Sequence, residues 1–526
     1  MLLLEEYTKY FMNFFKNKKN KAIFTSVFLT GFLSYFLLMI DGYVNPDGLI
    51  EGKYYYTNEN WALANGRWAT RYLNLLIGHN IVIPHIIVML YCLCIGLSVI
   101  LLAKLFNINK TSYLILTSAI MIASPSVIAQ LPFLYMALCY AVAFLGAVSY
   151  CYMIRSGGGI RFLLGVAFMT ISMGLYQSYL GAAALLVMLI AVHDLLCGKR
   201  IIEVLKQLLT FFVAGIIACV IDLAEFNLEI FLRKTSRSGR VTQFDVELIF
   251  TSIGTSVKKA YISFFDYFKD DILKRKGIYS FFGICASIIF LILLIELYKK
   301  KKDMAVCVAI LICIAVLPIA ANIIVVLIPY DSVRLIMCYH YVLVIPFCFS
   351  MLEQIKWEKT KAWIGRTVCA CICMLVGGYI WSANATFISY RISYSAIEKQ
   401  TDLIMANIYE LPEYIPNITK IIFAGFPNDL VVRSRLGIYY YAIGLPDNVA
   451  YWDGWGGIRN NRRMYLLNYY GIEAGYFTQE DYLAVINSDE FDKMPLWPQK
   501  GSVKMINDMV VVKLSNMPPL KEDTTK

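Results

Sequence analysis

The stretch AIFTSVFLTGFLSYFLLMIDGYVNPDGLIEGKYYYTNENWALANGRW, residues 22–68, decides how the chain is read. Its first part, residues 22–40, carries no charge. A helix needs about 20 apolar residues to cross the hydrocarbon of a bilayer. Lipid offers backbone groups no hydrogen-bond partner, so such a run must be helical. The run stops at Asp41 with no small-residue cleavage site behind it, and is expected to stay as an anchor. Directly after it, a polar loop gathers Asp47, Glu51, Tyr54, Tyr55, Tyr56, Glu59, Trp61, Arg67 and Trp68.

The pattern of the first run recurs. The chain has 526 residues, of which 59% are hydrophobic and 16% charged. Ordinary globular domains are about 45–50% apolar and about 25% charged. Apolar runs fall at 22–40, 81–103, 111–128, 133–153, 160–176, 179–197, 207–223, 279–298, 304–328, 336–352 and 364–383, about eleven predicted spans. The fold class expected is therefore mainly α, a polytopic membrane protein.

The net charge of +11 does not point to nucleic acid. With the N-terminus in the cytoplasm, the short inside segments hold twenty Lys and Arg, among them Lys18, Lys110, Arg155, Lys199 and Lys299. The short outside segments hold only four, Lys53, Arg67, Arg71 and Arg334. That bias is the positive-inside rule. It predicts that loop 41–80, the long loop 224–278 and everything after the last span lie outside the cytoplasm. The 14 Cys sit largely inside runs ("YCLC", "CACIC"), where they act as small hydrophobes rather than as disulfide or zinc ligands.

Within the long loop, Val246, Ile249, Val257, Tyr261, Phe264 and Phe268 recur at helical spacing with lysines between them. A helix on the headgroups and a helix packed on the bundle both fit. Residues 1–383 form one predicted unit, and residues 384–526 a small α/β domain outside the membrane. In that domain "KIIFAG" (420–425) reads as a strand, "EDYLAVINSDEF" (480–491) as a helix, and "SVKMINDMVVVKL" (502–514) as a hairpin turning at Asn507-Asp508.

Carboxylates at the mouth of a helical bundle suit general-base work when partly desolvated. Asp41, Asp47 and Glu51 are the candidates; Pro46-Asp47-Gly48 also suits a plain turn. Arg67, between Gly66 and Trp68, offers a planar fork for phosphate oxygens. Trp61 and Trp68 could stack on a sugar, or belong with Tyr54, Tyr55 and Tyr56 to an interfacial aromatic belt. Tyr176 and Gln177 in "GLYQSYL" are polar groups at another span mouth. Arg334 in "PYDSVRLIMCYHYVL" opens a late span, where a cation needs phosphate, Asp331 or a snorkelling route to water. His79, His85 and His340 show no metal-ligand spacing. The chain has no phosphate-binding Gly-rich loop with Lys-Ser/Thr, dinucleotide fingerprint or Ser-His-Asp pattern.

The order of these features, a first span, a loop with acids and "WALANGRW", a span mouth with "YQSY" and a later span-opening arginine, resembles the bacterial GtrII-type glucosyltransferases over about residues 20–400. The resemblance implies a GT-C architecture in the bacterial plasma membrane. It implies transfer of a sugar, glucose above others, from a polyprenyl-phosphate donor to a cell-surface glycan. Inverting displacement needs one base, for which Asp47 is the first choice, Asp41 the rival and Glu51 a support. Arg67 and Arg334 would take the phosphate, and Tyr176, Gln177, Trp61 and Trp68 would position substrate. No cofactor is implied, and no ligand spacing supports a divalent metal. Membrane lipids are the remaining partner; no nucleic acid is expected. A lipid-linked sugar flippase would instead need ionisable residues deep in the spans. A glycan polymerase or ligase would put its chemistry in the late loop.

Overall fold

The structure is a computed structural model that describes residues 14, 16–42, 59–77, 82–238, 246–273, 303–328, 333–354, 362–425, 466–467 and 470–515. The first apolar run folds as helix α1 (Lys18–Asp41). Asn17 caps its start by accepting from the Lys19 N–H, and Gly42 ends it in a left-handed turn, donating to the Leu38 carbonyl. Two short helices follow in the first loop, α2 (Glu59–Ala64) and α3 (Thr70–Ile77).

The bundle continues with α4 (Pro84–Leu105), α5 (Thr111–Ala123), α6 (Pro125–Gln130), α7 (Leu134–Ser156), α8 (Gly159–Leu175), α9 (Leu180–Leu196) and α10 (Ile201–Arg233). Then come α11 (Val246–Leu273), α12 (Met304–Ala321), α13 (Ile323–Leu327), α14 (Val344–Gln354) and the long α15 (Ala362–Tyr409). Pro84 and Pro125 each open a helix, where the missing N–H costs nothing.

Among the described residues, eight segments are long and apolar enough to cross a membrane: Lys18–Asp41, Pro84–Leu105, Thr111–Gln130, Leu134–Ser156, Gln177–Leu196, Ile201–Arg233, Met304–Ala321 and Gly365–Ile392. The chain is a multi-pass membrane protein. Large apolar side chains such as Leu29, Phe212, Val220 and Leu311 stay exposed on these helices, which suits lipid rather than water.

The expected count of eleven is not reproduced. The run at 160–176 forms a shorter apolar helix of 17 residues. The run at 279–298 lies outside the described residues. The run at 336–352 is broken: 3₁₀ turns at Leu335–Met337 and Tyr339–Leu343 precede α14. Irregular backbone is tolerable at the second turn because it is buried in protein. Tyr339, His340 and Tyr341 are all buried, and His340 Nε2 donates to the Ala321 carbonyl at 2.7 Å.

The loop expected at 224–278 is mostly helix. Its first ten residues finish α10, and α11 packs on the bundle rather than lying apart. Ala260 is fully buried, its carbonyl accepts from Asn322 Nδ2 at 3.1 Å, and Phe264 and Tyr267 meet the Tyr341 ring. The unit boundary expected at 383/384 falls inside α15, which runs unbroken for 48 residues. That is about 72 Å of helix, far more than about 30 Å of hydrocarbon.

Beyond α15 a three-stranded sheet forms from β1 (Lys420–Ala424), β2 (Val503–Ile506) and β3 (Met509–Lys513) in the order β1-β3-β2. β1 runs parallel to β3, and β2–β3 is the expected hairpin. Asn507 and Asp508 both take positive φ (49° and 58°), the geometry that a two-residue hairpin turn demands. Side chains alternate across the strands. Ile421, Phe423, Val510 and Val512 share a core with Ile404 and Ile408 of α15, while Ile422, Ala424, Met509 and Val511 pack on Tyr482 and Val485 of α16 (Gln479–Ile486). Thr478 and Asp481 form a capping box at the start of α16.

Polar side chains gather at the two ends of the bundle. At one end Asp194 lies between Arg155 (2.6 Å) and Lys199 (2.9 Å), and Glu353 accepts from the Asn109 N–H. The other end, the rim, is formed by the C-termini of α1, α8 and α10 with α2, α3 and α6.

Candidate active site

The motif "WALANGRW" builds the rim locally. Helix α2 ends in a Schellman motif: the Gly66 N–H donates to the Leu63 carbonyl (2.8 Å) and the Arg67 N–H to the Ala62 carbonyl (2.9 Å). Gly66 takes φ +79°, which a glycine adopts without strain. A Cβ there would also lie 2.4 Å from Gln177 Nε2. This close approach lets Gln177 donate to the Asn65 carbonyl at 3.0 Å. Ser238, at the end of the segment after α10, closes the same turn by donating to the Ala64 carbonyl (2.9 Å) and Asn65 Oδ1 (3.0 Å).

The turn points Arg67 between two rings. Its guanidinium carbon lies 5.4 Å from the Trp61 ring centroid and 5.3 Å from that of Tyr176. Both contacts are cation–π, which orient the fork and leave its charge intact. Tyr176 is itself buried against Tyr140 (4.7 Å) and Tyr179 (5.5 Å).

Trp68 faces the other way. Its indole N–H donates to Asp222 Oδ1 at 2.8 Å, and its ring lies where a Cβ on Gly174 would sit. The Ala69 N–H donates to the Gly174 carbonyl at 3.0 Å. Through these contacts Trp68, expected to touch substrate, joins α8 to α10. One turn on, Tyr72 donates to Glu229, which also pairs with Arg233 Nε at 2.7 Å. The Glu229 carboxylate raises the Tyr72 phenol above its usual value, chiefly through that hydrogen bond.

Arg334 is exposed and sits just before a buried polar hub. Gln130 is fully buried, and its amide is used at both ends. Oε1 accepts from the Tyr91 hydroxyl (2.6 Å), while Nε2 donates to the Tyr179 hydroxyl (3.0 Å) and the Ile336 carbonyl (2.7 Å). A chain of contacts therefore runs from Arg67 through Tyr176, Tyr179 and Gln130 to the segment carrying Arg334.

Asp41 occupies a separate sector of the rim. Its carboxylate lies 3.7 Å from Arg391 Nε of α15, a pair in which the arginine is 58% exposed. Asp47, Glu51, Tyr54, Tyr55, Tyr56, His79 and Asp331 lie outside the described residues, as do Trp452 and Trp455 of the C-terminal part. Among the described residues, no group of three or more His, Cys, Asp or Glu is placed to hold a metal ion. The described cysteines are free thiols.

Sequence reasoning missed Gln130 and Arg391. Gln130 was detectable in principle: a buried amide in an apolar run costs several kcal/mol unless it is fully hydrogen-bonded, so a lone Gln marks a network. Arg391 was hidden by the expected boundary at 384.

Residues 51–347, more than half of the chain, match the family model described as glucosyl transferase GtrII. The chain belongs to the GtrII glucosyltransferase family. Arg67, Trp68, Gln130, Tyr176, Gln177, Asp222 and Arg334 all fall within the GtrII match; Asp41 and Asp47 precede it, and the sheet follows it. No curated protein and no solved structure matches the chain.

Proposed function

We propose that this membrane glucosyltransferase moves a glucosyl group from a polyprenyl-phosphate donor to an extracytoplasmic cell-surface glycan, by inverting displacement at a GT-C-type site on the rim. The observation that supports this most is the Arg67 guanidinium held between Trp61 and Tyr176 and linked through Gln130 to the Arg334 segment. Two arginines at the end of a lipid-embedded bundle suit a substrate with a long lipid and an anionic head. Orientation follows from charge. Lys19, Lys110, Arg155 and Lys199 gather at the opposite end, so by the positive-inside rule the rim faces outward in a bacterial plasma membrane.

In this reading a carboxylate takes the proton from an acceptor hydroxyl. That oxygen attacks the anomeric carbon as the bond from that carbon to the phosphate oxygen breaks. The electron pair leaves with polyprenyl phosphate, whose growing charge Arg67 and Arg334 stabilise. Asp47 is the first choice for base and Asp41 the second, with Glu51 in support. Tyr176 and Gln177 hold the Arg67 turn and so set where the phosphate sits.

The test is transfer from synthetic polyprenyl-phosphoglucose by the purified protein, comparing wild type with Asp47→Asn, Asp41→Asn and Arg334→Ala. Asp47→Asn is expected to lose about 10²-fold or more in turnover with unchanged unfolding. Equal loss in Asp41→Asn alone reassigns the base. Wild-type rates in Asp47→Asn and Arg334→Ala would overturn the site.

A further inference from the structure

The end of the bundle opposite the rim carries a groove that no part of the proposed reaction uses. It lies between α1, α5 and α15 and encloses about 580 Å³. Lys18 and Lys21 stand at one end; the remainder is mostly apolar, as at Leu29, Ile115 and Val376, with Thr25, Ser26 and Thr30 the hydroxyl residues among it. The twelve lining residues include two lysines and no carboxylate. Ser26 adds no free polar group, since its hydroxyl donates to the Ile115 carbonyl at 2.8 Å. Leu29 is 57% and Ile115 40% exposed, so the groove opens sideways, where lipid would lie.

We propose that this groove holds one acyl chain of an anionic phospholipid whose phosphate rests between Lys18 and Lys21. Three observations carry this. The groove runs along α1 from Lys18 to Thr30, about 18 Å at 1.5 Å per residue. That is about the depth of one leaflet, half of about 30 Å of hydrocarbon. Its charged end is the interfacial end, where a phospholipid head would sit, and its deep end is uncharged and mostly apolar, with Leu29, Ala119 and Val376 beside Thr30. On α15, Arg366 lies two turns before the groove residue Cys373 at a spacing that puts both on one helix face, which adds a cation on the side of the charged end. Basic pockets between spans at the cytoplasmic side are suited to anionic headgroups, which that leaflet supplies. The polyprenyl donor is a different occupant, because its phosphate belongs at the other end of the bundle, beside Arg67.

The experiment is native mass spectrometry of the full chain in detergent with equal phosphatidylglycerol and phosphatidylcholine. Separate arms contain inorganic phosphate or polyprenyl phosphate. One phosphatidylglycerol should be retained in preference to phosphatidylcholine. The double variant Lys18→Gln/Lys21→Gln should weaken it roughly 30-fold, the product of two surface charges. Leu29→Trp, which keeps both charges and fills the groove, should displace the lipid while leaving polyprenyl phosphate binding unchanged. Equal retention of the two phospholipids, or no response to either variant, would overturn the proposal. Displacement by inorganic phosphate would reduce the site to an anion contact without a chain. Loss of polyprenyl phosphate in Leu29→Trp would hand the groove to the donor instead.

Discussion

The Asp194 cluster and the Arg67 turn, at the two ends of the bundle, hold their charges through different contacts. At the end opposite the rim, the inner one in the proposed orientation, Asp194 is buried between Arg155 and Lys199, with His193 Nδ1 3.5 Å away. His193 Nε2 meets Ser350 Oγ at 3.1 Å, and that hydroxyl donates to the Phe106 carbonyl at 2.5 Å. Ser350, His193 and Asp194 have the residue types of a catalytic triad, yet the serine proton is spent on a backbone carbonyl and the carboxylate on two cations. The cluster ties α4, α7, α9 and α14 together. At the rim, Arg67 lies against two aromatic faces, Trp61 and Tyr176, which fix its direction. Ion pairs brace helices at Asp194; ring faces set the direction of a guanidinium at Arg67.

The largest expected effect tests the rim. Arg67→Ala should lower glucosyl transfer about 10²–10³-fold, the usual result of removing a group that stabilises a leaving charge. Arg67→Lys should restore only part of it, because an ammonium cannot lie flat between two rings. If both variants transfer normally but melt early, Arg67 is a brace and the contrast with Asp194 disappears.

Asp194→Ala should do the reverse. Removing a buried carboxylate leaves Arg155 uncompensated and should cost about 3 kcal/mol, read as earlier heat unfolding in detergent. Transfer per folded molecule should stay close to wild type. A collapse of turnover with unchanged unfolding would mean that the inner cluster takes part in the reaction.

The smallest effect sharpens the picture of the inner end. Cys197 is exposed just past α9, and its thiol donates to Gln354 Oε1 at 3.4 Å. Burial of part of the side chain raises it, but the hydrogen bond and charge of His193 outweigh this and hold the thiol below its ordinary value. The thiolate forms as pH rises, so the alkylation rate should reach half its maximum below about pH 8.5. His193→Ala should move that midpoint up. An unmoved midpoint would show that the imidazole does not reach the sulfur.

Much of this was readable from residue order. Apolar runs marked the helices, Asn507-Asp508 marked the hairpin, and "WALANGRW" with its arginine marked the turn at the rim. The 336–352 run misled because its hydropathy is that of a span. His340 and Tyr341 instead bond to the end of α12 and its following turn, while Gln130 takes the Ile336 carbonyl, and these bonds favour 3₁₀ turns over one helix. Residues 224–233 carry Glu225, Glu229 and Arg233, so the apolar run ends before the helix does. Helix α10 is about 50 Å long, so its last turns pass beyond the hydrocarbon, where charges are welcome.

The sequence by itself determined that this is a multi-pass helical protein with basic residues on one side and an arginine-bearing loop on the other. The reason is local: lipid forces each apolar run to satisfy its own backbone, and charge asymmetry sets sidedness. Only the tertiary structure decided which rings hold Arg67, that Trp68 donates to Asp222, and that Gln130 joins two span mouths. Arg67 with Tyr176, Trp68 with Asp222 and Gln130 with Ile336 each join residues more than a hundred positions apart, and a side chain's partners across such separations depend on how the helices pack.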